Sequence, residues 1–482
     1  MNLKMVFNTV GRMIFLEAAL LVLPLIVALI YGEGSIAISY LITILIALAV
    51  GSVLKFAVKP KSQVIYAKEG FAIVALVWLF ISLIGTVPFV ISKEIPNFID
   101  AFFETVSGFT TTGASIIDDL SVLSHANLFW RSFTHWMGGM GVLVFVMAFM
   151  PNIADRSIHI MRAEMPGPVV GKLVPKVKDT AKILYLIYIA LTALEAILLM
   201  CGGMTVFESL VHAFGTAGTG GFGIRADSIG SYSPYIQWVI ASFMLLFGIN
   251  FNLYYLILVR RIKSVLKSTE LWCYVAIVIF ASAIIASNVF SIYNNFPDTI
   301  RNSVFQVAAI ITTTGFSTVD FNTWPELSKG ILFVLMFIGG CAGSTAGGLK
   351  LSRAILLFKQ SLREFKRLLH PRSVNAVRME GKPVDESTLS SVSTYFGLYM
   401  ICILSVFLLL SFEPFGLETN FSAAVSCFNN VGPGFGKVGP FDGYSIYSGF
   451  SKIVLSVAML LGRLEIYPLL LVFNPATWSK NK

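Results

Sequence analysis

Thr110-Thr111-Thr112-Gly113-Ala114-Ser115 is a short polar, β-branched run with a glycine in it, set in a chain that is otherwise strongly apolar. A near copy stands at Thr312-Thr313-Thr314-Gly315, with looser relatives at Ala217-Gly218-Thr219-Gly220-Gly221 and Asn429-Asn430-Val431-Gly432-Pro433. Each follows an apolar segment too short to cross a bilayer and precedes one long enough to do so. Four such stretches in one setting predict four walls of a single passage.

The setting is a membrane. Hydrophobic residues make up 56% of the 482 and charged residues 13%, against about 25% charged in an ordinary soluble domain. Mean hydropathy is +0.80, and many runs reach the ~18 apolar residues that read as spans. The net charge of +9 is no nucleic-acid footprint, because 27 of the 35 Lys and Arg crowd into alternate loops and the two ends. That positive-inside pattern predicts a multi-pass protein of the cytoplasmic membrane, bathed in lipid, with both termini in the cytoplasm. The run Met13–Tyr31 exceeds the ~7–15-residue core of a signal peptide and no A-x-A site follows, so it reads as a first transmembrane helix. The five cysteines form no CxxC pair, and neither a metal site nor a disulfide framework is expected. No nucleophile–base constellation is visible, so the chain is not read as an enzyme.

Read in order, a helix pair (Met13–Tyr31, Ile36–Phe56) precedes a unit that occurs four times: outward helix, short helix, glycine-bearing loop, inward helix. The first unit runs Phe71–Ile91, Asn97–Ser107, Thr110–Ser115 and Leu128–Met150; the second Ala181–Cys201, Val206–Phe214, Thr216–Gly223 and Tyr235–Val259. The third has Leu271–Ile292, Asp298–Ile311 and Thr312–Thr318 before a long inward stretch. The fourth has Thr394–Phe412, Asn420–Cys427, Asn429–Gly436 and Phe450–Phe473. Apolar segments of ~10–14 residues are more often re-entrant than spanning. An even number of crossings per unit brings all four loops in from outside. The expected fold is therefore an all-α polytopic membrane protein with four parallel helix–pore loop–helix repeats around a pseudo-fourfold pore, preceded by an extra N-terminal helix pair. The corresponding divisions are 1–60 for the pair, then repeats at 61–180, 181–268, 269–385 and 386–482.

Irregular backbone survives at membrane depth only where protein or a watery cavity surrounds it, a condition met if the four loops converge. A monovalent cation stripped of water needs several neutral oxygens, which rings of backbone carbonyls supply. Glycine reaches the left-handed φ values that turn consecutive carbonyls to one axis, and threonine adds a hydroxyl on a stiff side chain. The short helices direct partially negative C-terminal ends inward. None of the four stretches carries a carboxylate, which argues against a divalent-cation ring.

The third inward stretch, Leu327–His370, would span 44 residues as one helix, about 66 Å, across a hydrocarbon core of only ~30 Å. Gly339-Gly340-Cys341-Ala342-Gly343-Ser344-Thr345-Ala346-Gly347-Gly348 interrupts it, since each interior glycine costs roughly 1 kcal/mol. A phosphate-loop reading of Gly343–Lys350 fails: the lysine is displaced by one, no Ser or Thr follows it, and no strand precedes. The segment, with Gly339, Gly340, Gly343, Ser344, Thr345, Gly347 and Gly348, is expected to lie across the passage as a gate. Arg463 stands within an apolar span. Either it snorkels to the cytoplasmic interface, or it faces the passage below the loops and pairs with carbonyls of the glycine segment. The basic amphipathic helix Leu351–His370 reads equally as a lipid-surface helix and as a docking handle continuous with the gate.

The four loops, together with Trp136-Met137-Gly138-Gly139-Met140-Gly141, Arg162-Ala163-Glu164-Met165-Pro166-Gly167-Pro168, Asn430–Gly436 and Gly462-Arg463-Leu464-Glu465, resemble the TrkH/Ktr superfamily of potassium transporters, TrkH-type subunits in particular. The resemblance covers nearly the whole chain and includes the N-terminal pair that Ktr-type subunits lack. It implies potassium uptake, with Gly113, Gly220, Gly315 and Gly432 as filter glycines. Carbonyls around them would hold K+: Thr111, Thr112, Thr219, Gly221, Thr314, Phe316, Val431 and Pro433. It also implies an intramembrane gating loop at 339–348, a homodimer, and a cytosolic nucleotide-binding regulatory subunit of the TrkA or KtrA kind. No cofactor is expected in the chain itself. No loop reads TVGYG and the fourth lacks a threonine beside its glycine, so some Na+ or Rb+ passage is expected. The alternative is a symporter coupled to H+ or Na+, for which Glu17 and Glu195 are the intramembrane carboxylates.

Overall fold

Long apolar stretches form helices in a computed structural model that describes residues 2–56, 67–141, 177–373 and 375–478. The expected second half of the first inward helix, the motif 162–168 and the basic residues at 59, 61, 156, 162, 172, 176, 480 and 482 lie outside the described residues. The N-terminal pair is α1 (Leu3–Leu20) running into α2 (Val22–Ile30), then α3 (Gly34–Phe56). The first unit follows as α4 (Ala67–Ser92), α5 (Phe98–Phe109) and α6 (His125–Gly139); the second as α7 (Val177–Cys201), α8 (Val206–Ala217), α9 (Pro234–Phe247) and α10 (Phe251–Leu258). After the short α11 (Ile262–Leu266) come α12 (Thr269–Tyr293), α13 (Phe296–Ile311), α14 (Glu326–Ile338) and α15 (Leu351–Leu369). A two-residue-per-strand hairpin (Arg378–Met379, Lys382–Pro383) precedes α16 (Glu386–Leu410), α17 (Leu417–Asn429), α18 (Gly449–Arg463), α19 (Tyr467–Phe473) and α20 (Pro475–Trp478). Among the described residues, six helical stretches are long and apolar enough to cross a membrane: Leu3–Ile30, Gly34–Phe56, Lys68–Ser92, Asp179–Cys201, Thr269–Tyr293 and Glu386–Leu410.

Burial separates the helices into two kinds. The α3, α12 and α16 surfaces leave Leu45, Phe280 and Leu408 more than half exposed, as lipid-facing residues should be. The short helices are buried almost all round; α13, for instance, buries every residue from Asn302 to Ile311 except Val304. The first two are capped at their outer ends by side chains. Asn97 accepts from Ile99 N before α5, and Thr205 and Glu208 form a capping box at the start of α8, an arrangement that satisfies orphan N–H groups and contributes about 1 kcal/mol.

The buried helices pack in a closed succession. Helix α6 lies against α5 and α8, α9 against α8 and α13, α14 against α13 and α17, and α18 against α17 and α5. Two inward helices expected to be continuous are not. Tyr235–Val259 breaks at 248–250, where Gly248 and the Asn250 cap of α10 turn the axis by 90°. Phe450–Phe473 breaks after Arg463, where Glu465 and Ile466 take φ of 53° and 66°. In the third unit the helix ends at Ile338 and resumes at Leu351, the interruption that its glycines foretold.

Candidate functional site

The four glycine-bearing loops leave their short helices by the same backbone turn. Thr111, Thr219, Thr313 and Asn430 adopt left-handed φ of 57°, 54°, 54° and 56°. The N–H of the next residue reaches back five positions: Thr112 to Ser107 O (2.9 Å), Gly220 to Gly215 O (2.9 Å), Thr314 to Ala309 O (2.8 Å) and Val431 to Ser426 O (2.9 Å). This is a Schellman ending, but glycine or asparagine normally holds the left-handed place. A β-branched threonine there is strained, by about 1–3 kcal/mol where its surroundings over-determine it. The strain turns the chain sharply from helix into an extended segment.

Two residues further on, Gly113, Gly221, Gly315 and Gly432 have φ of 79°, 76°, 82° and 100°. A Cβ on Gly113 would strike Gly220 O; on Gly221, Thr314 O; on Gly315, Val431 O; on Gly432, Thr112 O. The contacts run first loop to second, second to third, third to fourth and fourth back to first, so they close a cycle. The counterpart of Gly113 in the second loop is thus Gly221, one residue beyond the expected Gly220. Gly220 instead sits where Thr112, Thr314 and Val431 sit, its Cα against the His135 ring. Hydroxyls add order: Thr110 and Thr112 lie 2.8 Å apart, Thr312 and Thr314 2.7 Å apart, and Thr219 donates to Gly218 O at 2.7 Å. Phe316 packs its ring toward His212.

All four glycines and Pro433 line one outer cavity of about 400 Å³, whose wall also carries Asp118, Asp442, Arg131, Arg225 and Lys437. The loops themselves present only neutral oxygens, a donor set for a monovalent cation. Among the described residues no three of His, Cys, Asp and Glu gather as a metal site.

Below the loops the expected gate residues form one packed segment. Gly347 N donates to Thr313 Oγ1 at 2.6 Å and Gly348 N to Asn429 O at 3.0 Å, so the segment docks on the inner ends of the third and fourth loops. Thr345 donates to Phe247 O at 3.2 Å, Cys341 N to Gly248 O at 3.0 Å, and Gly343 O accepts from Phe251 N at 3.0 Å; these bonds fall at the break between α9 and α10. Ser344 closes its own turn on Cys341 O, Ala342 N donates to Glu270 at 2.8 Å, and Lys350 Nζ donates to Ala346 O. Gly339 caps α14 and Gly340 O accepts from Leu351 N. The cavity left between this segment, Gly139, Asn430 and Arg463 holds about 40 Å³, room for roughly one water.

Arg463 ends α18 and donates to Thr345 O at 3.0 Å, to Gly139 O at 2.7 Å and to Gly138 O. It therefore binds the glycine segment and the C-terminus of α6, whose free carbonyls favour a cation. It does not snorkel away. Glu465, two residues on, takes Arg353 of α15 in a two-pronged pair at 2.7 and 3.0 Å, with the guanidinium over the Tyr395 ring. The helix α15 leaves Phe358, Leu362, Phe365 and Leu369 exposed along one side.

Sequence reasoning missed three participants. Glu104 and Arg131 form a buried ion pair behind the first loop. Asn430, at the place threonine holds elsewhere, donates to Thr112 Oγ1 at 2.9 Å and Met459 O at 3.0 Å, and so ties the fourth loop to the first. The two charges were visible as isolated ionic residues in apolar stretches. Asn430 stood within the fourth glycine-bearing run, but nothing in that run marked its side chain as a bond to the first loop.

Comparison with known proteins agrees along the whole chain. The family model TrkH, described as a cation transport protein, matches residues 37–480. The Trk system potassium uptake protein TrkH of Escherichia coli K12 is 37% identical over 488 residues, covering all of both chains. TrkG of the same organism is 33% identical, covering 99% of each. The crystal structure of the potassium transporter TrkH from Vibrio parahaemolyticus superposes with a TM-score of 0.88 at 32% identity, over 99% of this chain and 100% of that one.

Proposed function

The chain belongs to the TrkH family of cation transport proteins, and on that footing we propose that it takes potassium into the cell through a gated, channel-like pore. Its filter is the ring of Thr111–Gly113, Thr219–Gly221, Thr314–Phe316 and Val431–Pro433, formed by four parallel repeats about a pseudo-fourfold axis. The observation that carries this reading is the closed cycle of glycine-to-carbonyl contacts among the four loops. An inside-negative potential contributes about 2.3 kcal/mol per elementary charge per 100 mV, which concentrates K+ without chemistry in this chain.

Gly339–Gly348 and Arg463 act as the gate beneath. The roomy outer cavity and the small inner one support a conformation open to the outside and shut below. Arg463 places a positive charge on the ion's path while bonded to Thr345. The basic helix α15, continuous with the gate, is the surface that a cytosolic nucleotide-binding subunit of the TrkA or KtrA kind engages, and the working unit is a homodimer in the cytoplasmic membrane with both termini inside. Purified protein in planar bilayers tests the reading: ohmic currents that reverse at the K+ equilibrium potential are expected.

A symport reading draws on Glu17 and Glu195, carboxyls buried within the membrane-spanning helices α1 and α7. Potassium movement driven by a Na+ or pH gradient alone, at zero voltage, would favour it over the pore.

A further inference from the structure

The short helices and their loops are tied together from behind at a repeated position, and the tie differs from loop to loop. Nine residues before its glycine, the first helix carries Glu104, and Ser115, two residues past that glycine, donates to the Glu104 carboxylate at 3.0 Å. The third helix carries Gln306 at the same place, and its amide donates to Ser317, again two past the glycine, at 2.8 Å. The second and fourth have His212 with Gly223 and Ala423 with Gly434. A glycine offers no side chain to receive such a bond. In the fourth loop the neighbouring Ser422 accepts from Phe435 N at 2.8 Å instead.

The first tie is ionic and reaches two loops. Arg131 Nε donates to Glu104 at 2.8 Å, and the pair is sealed from solvent, with side chains 2% and 0% exposed. The other Glu104 oxygen accepts from Ile116 N at 3.0 Å. Beyond the carboxylate, Arg131 donates to Ser115 Oγ at 3.3 Å and stacks 4.0 Å from the Phe222 ring centroid of the second loop. A buried ion pair adds little stability over an apolar replacement of the same shape. What it fixes here is geometry: the outer ends of the first two loops are held at one separation. The pair is also neutral, so it adds no net charge beside a cation path.

We propose that Glu104, with Arg131, is a positioning device that sets discrimination between potassium and the smaller sodium ion, and that Gln306–Ser317 is its neutral counterpart across the ring. This rests on the four loops being the filter. A smaller cation is satisfied only if the ring draws in around it, and a loop tied from behind resists that contraction, in keeping with the cavity-size contribution to filter selectivity. The second loop is held instead through Arg131 and the fourth through Ser422 and Phe435, so the ring is braced unevenly, which agrees with discrimination weaker than that of a ring tied alike on all sides.

The test measures K+ and Na+ influx into proteoliposomes for Ser115→Ala, for Ser317→Ala, and for two neutral double variants. In Glu104→Ala with Arg131→Met the tie is gone. In Glu104→Gln with Arg131→Met it is kept, because the introduced amide bonds Ser115 as Gln306 bonds Ser317. The K+/Na+ influx ratio is expected to fall at least fivefold in Ser115→Ala, in Ser317→Ala and in the alanine double variant, and to stay within about twofold of the parent in the glutamine one. An unchanged ratio in Ser115→Ala, or equal loss in the two double variants, overturns the proposal; if a double variant fails to fold, the two serine variants decide it. Gly113→Ala run alongside separates the two readings. If it leaves K+ influx intact, the filter assignment falls and the tie with it. If it abolishes influx while the serine variants keep their ratio, only the tie falls.

Discussion

The Arg463 guanidinium donates to the Thr345 carbonyl at 3.0 Å, although 118 positions separate the two residues. The same guanidinium holds Gly139 O at 2.7 Å, so one side chain joins the end of α6, the glycine segment and the end of α18. Two positions later Glu465 grips Arg353, just past the same segment. The fourth unit thus holds the C-terminal half of the segment and the residues just past it.

Arg463→Ala should release the first clasp. A hydrogen bond from a charged donor contributes about 1.5–3 kcal/mol, and about 1.4 kcal/mol is a factor of ten in an equilibrium. Basal rubidium or potassium flux is expected to rise about tenfold or more, with longer openings in single-channel records. Unchanged gating would remove Arg463 from the gate.

Arg353→Gln leaves Glu465 without its partner. Breaking a buried pair costs about 3–5 kcal/mol, and the 22% exposure of the Glu465 side chain places this one near 3 kcal/mol. Melting in detergent should fall accordingly and basal flux should rise. Exchanging the charges, Arg353→Glu with Glu465→Arg, is expected to recover part of both; no recovery would mean that packing on Tyr395, rather than the ion pair, matters.

Gly221→Ala should behave as Gly113→Ala does, with K+ transport reduced at least a hundredfold, since both side chains would meet a carbonyl of the next loop at a left-handed φ. Gly330→Ala, with open space around its Cα, should keep transport within about twofold. Robust transport by Gly221→Ala would return the second loop to a different register.

Glu413 lies outside the spans, accepting from Ser448 N at 3.0 Å and Ser451 Oγ at 2.6 Å at the start of α18. Partial burial pushes its carboxyl up, but the Ser448 and Ser451 bonds outweigh this and hold it below the ordinary value. A depressed folded pKa contributes stability above the unfolded value, about 4.3, which is lost as pH falls through the folded one. Glu413→Gln should cost about 0.3–1 kcal/mol at pH 7, the range for a carboxylate at a helix N-terminus. The difference between parent and variant melts should narrow as pH falls below the ordinary carboxylate range and the folded carboxyl takes up its proton.

Much was legible in the chain itself. Its apolar runs specify membrane helices, its polar threonine–glycine runs mark the loops, and five glycines in ten positions mark the break after Ile338, because hydropathy and helix propensity are local properties. Tertiary structure decided the rest. Thr219-Gly220-Gly221 offers two glycines, and only the backbone turn at Thr219 and the contact with Thr314 O select Gly221. The breaks at 248–250 and 464–466 follow from hydrogen bonds with the glycine segment and the pull of Arg353 on Glu465, partners remote in sequence. Glu104, Arg131 and Asn430 likewise gain their roles from neighbours that the chain delivers only on folding. Composition and periodicity determine what each segment is. Which carbonyl meets which glycine is set by packing across the membrane, and no local pattern encodes it.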